Sequence, residues 1–573
     1  MSSSQHEIIV SIDFGTTFSG IAWGEILNFE GQKIRAIERW PSSTYNPVGK
    51  ECKKVPTRIW YGDRDGMHWG FQIPSNAPRN EIAEWFKLDL DPYLQSMADA
   101  VRRAEKTKTA LGVNKLATDY ISALHEHLKY TLKEQGLNGD EAIPVQFVVA
   151  VPAVWTDLAK SKTIAACQLA LGLTAPEPPI RVVSEPEAAA VYALYNCKNH
   201  GLNIGDSFVI CNAGGGTVDL ISYTITKLNP ILEVEEAATG TGALCGSLTV
   251  NWRFEEYLKR KFGHLPGFDE FLSTAMENFE DKIKPEFTLE DHERVYPLPG
   301  LAFLDRMQKE KREEIFLLKT KHLQEVFEPA VSEVVELVKK QIAHTKVPIR
   351  AVFLVGGFGS SNYLTERLRN VVDGNIQVLR PHEAWLSVAF GAVMMGQALN
   401  ASQAALVHVA HRRARRHYGI EITTPYQEER HSHIQNKKYR HPAVGDWRVL
   451  VMDWFITKGD RVSENKPFLH EYIQYEQVPL DRSGCHNFST KICMNEKSEE
   501  APLLRDDNTN VLCNLLAGLS SIPEPLLPRM RGFDGNLYYA VPFKIEVVFL
   551  SATTEYTLIY EGKRHGKVTA EYA

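Results

Sequence analysis

The sequence is most informative at first for what it lacks. No segment approaches the eighteen or so uninterrupted apolar residues that a membrane-spanning helix needs, so no membrane partner is expected. The opening Met-Ser-Ser-Ser-Gln-His-Glu has no basic stretch followed by an apolar one, so no secretory signal is expected and the cytoplasm is the default compartment. Cysteine is scarce, eight in 573 residues, and no CxxC pair occurs. Cys52, Cys167, Cys197, Cys211 and Cys245 are scattered, and Cys167 and Cys211 stand in apolar patterns where a thiol acts as a small hydrophobe. Reduced cysteines are therefore expected, neither a disulfide framework nor a zinc cluster. The pairs His125/His127 and His431/His433 lack a second cluster at zinc spacing and read as surface or helix-face histidines. A net charge of −7 is too modest for a dedicated nucleic-acid binder, and no nucleic-acid partner is expected.

What is present centres on Cys211-Asn-Ala-Gly-Gly-Gly-Thr-Val-Asp-Leu220. The β-type run 207–211 enters three consecutive glycines, Gly214, Gly215 and Gly216, and a second β-type run leaves through 218–223. The pattern is a hairpin whose turn lets backbone N–H groups crowd inward where a Cβ would collide, which makes a concave anion site. Thr217 adds a hydroxyl, and Asp219 adds a carboxylate of the kind that holds Mg²⁺ through water. The start of the chain repeats the arrangement. Ile8–Ile12 is an apolar strand pattern ending at Asp13, and Phe14-Gly15-Thr16-Thr17 turns back into a second strand. Two such hairpins facing one another would grip phosphates from both sides, with Asp13 and Asp219 placing the metal between them. A third glycine element, Gly356-Gly357-Phe358, follows the strand pattern 351–355 and opens a helix, which permits close backbone approach to a nucleoside. Glu185 stands where Val183-Ser-Glu-Pro-Glu turns into an alanine-rich helix, able to face the phosphates.

The ordered set IDFGTTFS, VVAVPAVW, EPEAAAVYAL, AGGGTVDL and VFLVGGFGSSNYL resembles the ATPase domain of the heat-shock 70 kDa chaperones, relatives of actin and the sugar kinases. The resemblance spans roughly residues 8–399. It implies an α/β, two-lobed actin-like ATPase fold with duplicated sheets and helices, ATP or ADP with Mg²⁺ as cofactors, and a mobile helical lobe at 240–345 closing over adenine. The family's adenine-contacting helix matches Asn278-Phe-Glu-Asp-Lys-Ile-Lys284, where Glu280 and Lys284 are the candidates. The catalytic candidates are Glu185, Asp219 and, as a degenerate position, Asn212. The nucleotide-binding set is Asp13, Gly15, Thr16, Thr17, Gly214, Gly215, Gly216, Thr217, Glu280, Lys284, Gly356, Gly357 and Phe358.

Two departures touch chemistry. Asn212 stands where the family ordinarily has aspartate, and a neutral amide accepts no proton and adds no charge near Mg²⁺. The family's lysine beside the γ-phosphate is expected from the segment 61–75. That segment has no lysine, and Arg64 is its candidate substitute. Binding tolerates both losses better than hydrolysis does, because cradling uses backbone donors and hydrolysis needs an oriented water.

The length implies two to four domains: a nucleotide-binding domain over 1–400, a basic linker over 401–417, and a small β-rich domain over 418–573. Helical patterns are expected at 114–134, 157–171, 317–343 and 383–399, with strands at 147–151, 448–456, 471–475 and 543–549. The run His411-Arg-Arg-Ala-Arg-Arg-His417 reads as a solvated linker, with a nuclear address or an acidic partner as the alternative. The proline-rich stretch 503–531 receives no assignment. No helical lid pattern follows the β-rich part, so the resemblance is to an atypical, lidless branch, and peptide capture of the usual kind does not follow. The leading expectation is an ATP-binding, nucleotide-gated binding protein or chaperone with weak or absent hydrolysis, its β-rich domain meeting an unidentified protein client. The alternatives are a slow ATPase and, behind it, a small-molecule kinase.

Overall fold

The computed structural model describes residues 7–26, 33–42, 50–62, 66–74, 76–92, 111–137, 143–173, 180–196, 201–229, 231–289, 294–298, 318–400, 407–463, 466–478, 487–518, 527–567 and 571–572. Strands β1 (Glu7–Asp13) and β2 (Phe18–Ile26) are rich in apolar residues, and each holds a run of six buried positions. They pair antiparallel, with Asp13 directly opposite Gly20. The short strand β3 (Val55–Pro56) lies against the start of β2. Beyond β4 (Arg58–Gly62) come helix α1 (Val113–Glu134), β5 (Val145–Val151), α2 (Asp157–Ala170), β6 (Ile180–Ser184) and α3 (Glu185–Asn196). The sheet runs in the order β6-β5-β1-β2, with β5 parallel to both β1 and β6. Parallel strands buried on both faces need continuous apolar runs, and Phe147-Val-Val-Ala-Val supplies one.

The same plan recurs. Strands β7 (Ser207–Ala213), β8 (Val218–Lys227) and β9 (Leu232–Ala243) form an antiparallel meander. Helices α4 (Ser247–Phe262), α5 (Phe268–Asn278) and α6 (Thr320–His344) follow, then β10 (Ile349–Val355), α7 (Asn362–Arg369), β11 (Gln377–Leu379) and α8 (Ser387–Asn400). The order β11-β10-β7-β8, with β10 parallel to β7 and β11, repeats β6-β5-β1-β2 strand for strand, and β9 extends it beyond β8. Val209, Cys211, Phe254, Val334 and Leu354 bury one face of this sheet against α4 and α6. The fold is the duplicated α/β arrangement that the motifs implied.

The chain divides into two compact units, 1–408 and 409–573. Two sheets in the second share a core. Strands β13 (His417–Pro425), β14 (Trp447–Ile456), β17 (Asn487–Asn495) and β18 (Thr509–Gly518) make one sheet. The other contains β16 (Phe468–Gln477), β20 (Leu537–Phe549), β21 (Thr554–Tyr560) and β22 (Lys563–Lys567), with β19 (Arg529–Arg531) on β20. Ile420, Phe455 and Ile492 from the first meet Phe543, Ile545 and Val547 from the second.

One expectation is corrected here. The basic run is no solvated linker: its first part lies in β12 (Val407–Arg413), which pairs with β15 (Arg461–Ser463), and His417 begins β13. Arg412 and His417 are buried, and the Arg416 guanidinium reaches the Glu496 carboxylate at 3.3 Å. The proline-rich stretch 503–531 contains β18 and β19. Among the described residues six cysteines are free thiols; Cys197 and Cys485 lie outside them. No described helix is long and apolar enough to cross a membrane.

Candidate functional site

The β1–β2 and β7–β8 turns face one another across a cleft of about 910 Å³ within the first unit. Their approach is closer than side chains would allow. A Cβ on Gly215 would lie 2.2 Å from the Thr17 hydroxyl oxygen, and one on Gly216 would lie 2.8 Å from that of Thr16. Gly246, at the start of α4, packs its backbone against the same turn, where a Cβ would meet the Gly215 carbonyl oxygen at 2.3 Å. The glycines are thus required by the meeting of the two hairpins as well as by the turn itself. Gly15, Gly214 and Thr217 also line the cleft.

Glu185 is the first residue of α3, which follows β6 without an intervening loop. Its carboxylate receives the Lys87 ammonium at 2.9 Å. Lys87 comes from the 3-10 turn Phe86–Leu90, is almost wholly buried, and lies 4.9 Å above the ring of Trp155. The expectation of a missing lysine is therefore corrected: the cation arrives from just beyond the segment 61–75, and Arg64 lies outside the described residues. Burial pushes the Glu185 carboxyl up to about 7; Lys87 opposes the rise, and Asp13 and Asp219 add to it. The amide nitrogen of Asn212, on β7, is 3.5 Å from Glu185 Oε2, at the outer limit of a hydrogen bond. Asp219 is buried below the cleft, where it accepts from the Thr217 hydroxyl at 3.0 Å and from the Val154 N–H at 3.3 Å. Asp13 is held by the Lys54 ammonium at 2.6 Å.

At the other end of the cleft Lys284 donates to Glu280 at 2.6 Å and to the Asn251 side-chain oxygen at 3.0 Å, while Asn251 donates to Glu280 at 2.6 Å. Glu280 sits in the π-helical turn Phe279–Ile283 that continues α5, an irregularity common at functional sites. Gly356 adopts a φ of +84°, and a Cβ there would strike the Ala213 carbonyl oxygen at 2.4 Å. Gly357 lies under Trp385, which also lines the cleft. Phe358 departs from expectation: its ring turns into the core of the second lobe and gives the cleft nothing.

The structure thus brings the described sequence-derived candidates to one cleft, except that Asp219 and Phe358 lie behind its wall. Sequence reasoning missed Lys54, Lys87, Asn251 and Trp385. A lysine inside the apolar run Trp85-Phe-Lys-Leu was a readable signal for Lys87; nothing marked the other three.

Residues 93–428 match the family described as Hsp70 protein. The chain belongs to the Hsp70 family. The match begins after the first hairpin and covers Glu185, the glycine turn of β7–β8, the Glu280–Lys284 turn and the third glycine element. Residues 412–478 match a domain of unknown function (DUF8568). Heat shock 70 kDa protein 12A of mouse and of human are each 24% identical over 568 residues, covering 83% of this chain and 80% of theirs. Human heat shock 70 kDa protein 12B is 24% identical over 522 residues, covering 74% of this chain and 72% of its own.

The ATPase domain of the Hsp70 family generally binds ATP or ADP with Mg²⁺. The chemistry here fits the nucleotide: glycine turns that exclude any Cβ face hydroxyl donors and two buried ammonium groups. It does not fit a divalent cation held by the protein. Asp13 is engaged by Lys54, Glu185 by Lys87 and Asp219 by Thr217, and Asn212 is neutral. Among the described residues no group of three or more His, Cys, Asp or Glu converges on a metal position.

Proposed function

We propose that this Hsp70-family protein is a nucleotide-gated binding protein, in which ATP or ADP occupies the cleft and hydrolysis is weak or absent. The observation that carries the reading is the close approach of Thr17 to Gly215, which leaves two phosphate-cradling turns facing one another. The phosphates lie between the hairpins, near Lys87. The nucleoside extends toward Gly356, Gly357 and the Glu280–Lys284–Asn251 network. Asn212 leaves the attacking water without the carboxylate that would polarise it. The proposal includes an unidentified protein client for the β-rich unit and a cytoplasmic location. For nucleotide to gate that unit, the unit's contacts must differ between ligand states.

A slow ATPase is the second reading, favoured by the Lys87–Glu185 pair, since a buried ammonium aimed at the phosphate end can stabilise charge in transfer. Calorimetric titration of the full chain with ATP and with ADP tests the proposal, paired with thermal unfolding, because a ligand of the folded state raises the midpoint by mass action. Binding is expected for the wild type and lost in Gly215→Val, whose Cβ has no space beside Thr17. Neither heat nor a thermal shift in the wild type refutes it.

A further inference from the structure

Resting on the nucleotide reading above, we propose that Lys54 takes the place of a divalent cation at the phosphate end of the cleft, so that this protein binds nucleotide without requiring Mg²⁺. Strand pairing determines the position of this lysine. Asp13 ends β1 directly opposite Gly20 on β2, and Val55 pairs with Ser19 on the far side of β2. Lys54, one residue before Val55, is thus delivered beside Gly20. The missing side chain at Gly20 leaves a channel in which the lysine stem lies. A Cβ there would come within 3.2 to 3.5 Å of the stem carbons Cγ, Cε and Cδ. The ammonium emerges against Asp13 at 2.6 Å, the two side chains being 8% and 6% exposed.

The consequence is electrostatic. Mg²⁺ requires oxygen donors carrying negative charge or holding its waters. Here Asp13, one of the two carboxylates expected to do this, already has a fixed cation at hydrogen-bonding distance, and Asn212 removes the negative charge the family ordinarily has at that position. Lys54 and Lys87 are both cleft-lining ammonium groups, each set directly against one of the cleft's acids, Asp13 and Glu185. Nucleotide phosphates entering between the hairpins meet these ammonium groups and the glycine-turn N–H donors. A divalent ion bridging Asp13 and the phosphates would instead sit beside a like charge. The lysine therefore supplies, as part of the chain, the charge neutralisation that a metal would bring with the ligand.

The test is calorimetric titration of the full-length protein with ATP in excess Mg²⁺ and in excess EDTA. The wild type is expected to bind in both with affinities within about threefold of each other. Lys54→Met exposes Asp13 to the phosphates and frees it for an aquated metal, so this variant should bind about tenfold or more weakly in EDTA than in Mg²⁺. Gly20→Ala, which crowds the lysine stem, provides a milder variant with the same direction of effect should Lys54→Met fail to fold. Wild-type binding that survives in Mg²⁺ and vanishes in EDTA overturns the proposal and leaves the nucleotide reading standing. So does a folded Lys54→Met protein as indifferent to EDTA as the wild type. Absence of binding in both media refutes the nucleotide reading itself, and the proposal with it.

Discussion

Replacing Lys87 by methionine isolates the electrostatics of the phosphate end, since methionine keeps the length and bulk of the stem and removes the ammonium. Glu185 has an ordinary value of 4.5 when unfolded and about 7 in the fold, with Lys87 already holding the rise down. An acid whose value is raised by folding favours the unfolded state as pH climbs. Its cost is absent below pH 4.5, grows between 4.5 and 7, and then levels off at about 3 kcal/mol once both states are ionised. Without the ammonium the carboxyl stays protonated well beyond 7, so the cost keeps growing where the wild type has levelled off. The variant should therefore lose stability relative to wild type by about 0 kcal/mol at pH 5.5, about 1 at pH 7.5 and about 2 at pH 8.5. Lost attraction to the Trp155 ring and relieved desolvation of the ammonium shift the whole curve and drop out of its slope. Urea unfolding of both full-length proteins at the three pH values measures the difference. Parallel stability curves across this range would show that Glu185 is not buried against Lys87 as described.

Asn212→Asp restores a proton acceptor beside Glu185, and with Lys87 in place single-turnover hydrolysis of bound ATP should rise by about a hundredfold. Equal rates in two folded, ATP-loaded proteins would remove Asn212 from the mechanism. Glu328, on α6, tests a structural ion pair: burial alone would raise its carboxyl, but hydrogen bonds from Arg367, Tyr363 and Ser332 hold it at about 2. The stability this contributes is complete above the ordinary carboxylate range and lost as pH falls toward 2. Because the side chain is partly exposed, Glu328→Gln should cost about 1 kcal/mol at pH 7, against nearly nothing at pH 2. A denaturation difference that stays constant over that range would refute the assignment.

The sequence by itself determined those parts of the protein whose physics is local. A strand is announced by its apolar run and a tight turn by its glycines, so both phosphate hairpins, the third glycine element and the alternating strand 543–549 were legible within a dozen residues each. Family resemblance then supplied the pairing of distant motifs, including Glu280 and Lys284. Tertiary structure decided what depends on contacts between residues far apart in the chain. Lys87 is a site residue because α3 brings Glu185 to it across 98 positions, and Lys54 is one because Gly20 leaves room for its stem on the way to Asp13, 41 positions away. The basic run 411–417 looks solvated from its charge, and becomes strand because β15 and β17, each more than forty residues downstream, supply the backbone partners. Phe358 shows the converse, since its glycine neighbours reach the cleft while its ring gains more from burial in the core. Charge and composition do not reveal such placements, because a buried lysine, a solvated lysine and a strand arginine have the same local pattern and differ in which remote groups offset the cost of removing them from water.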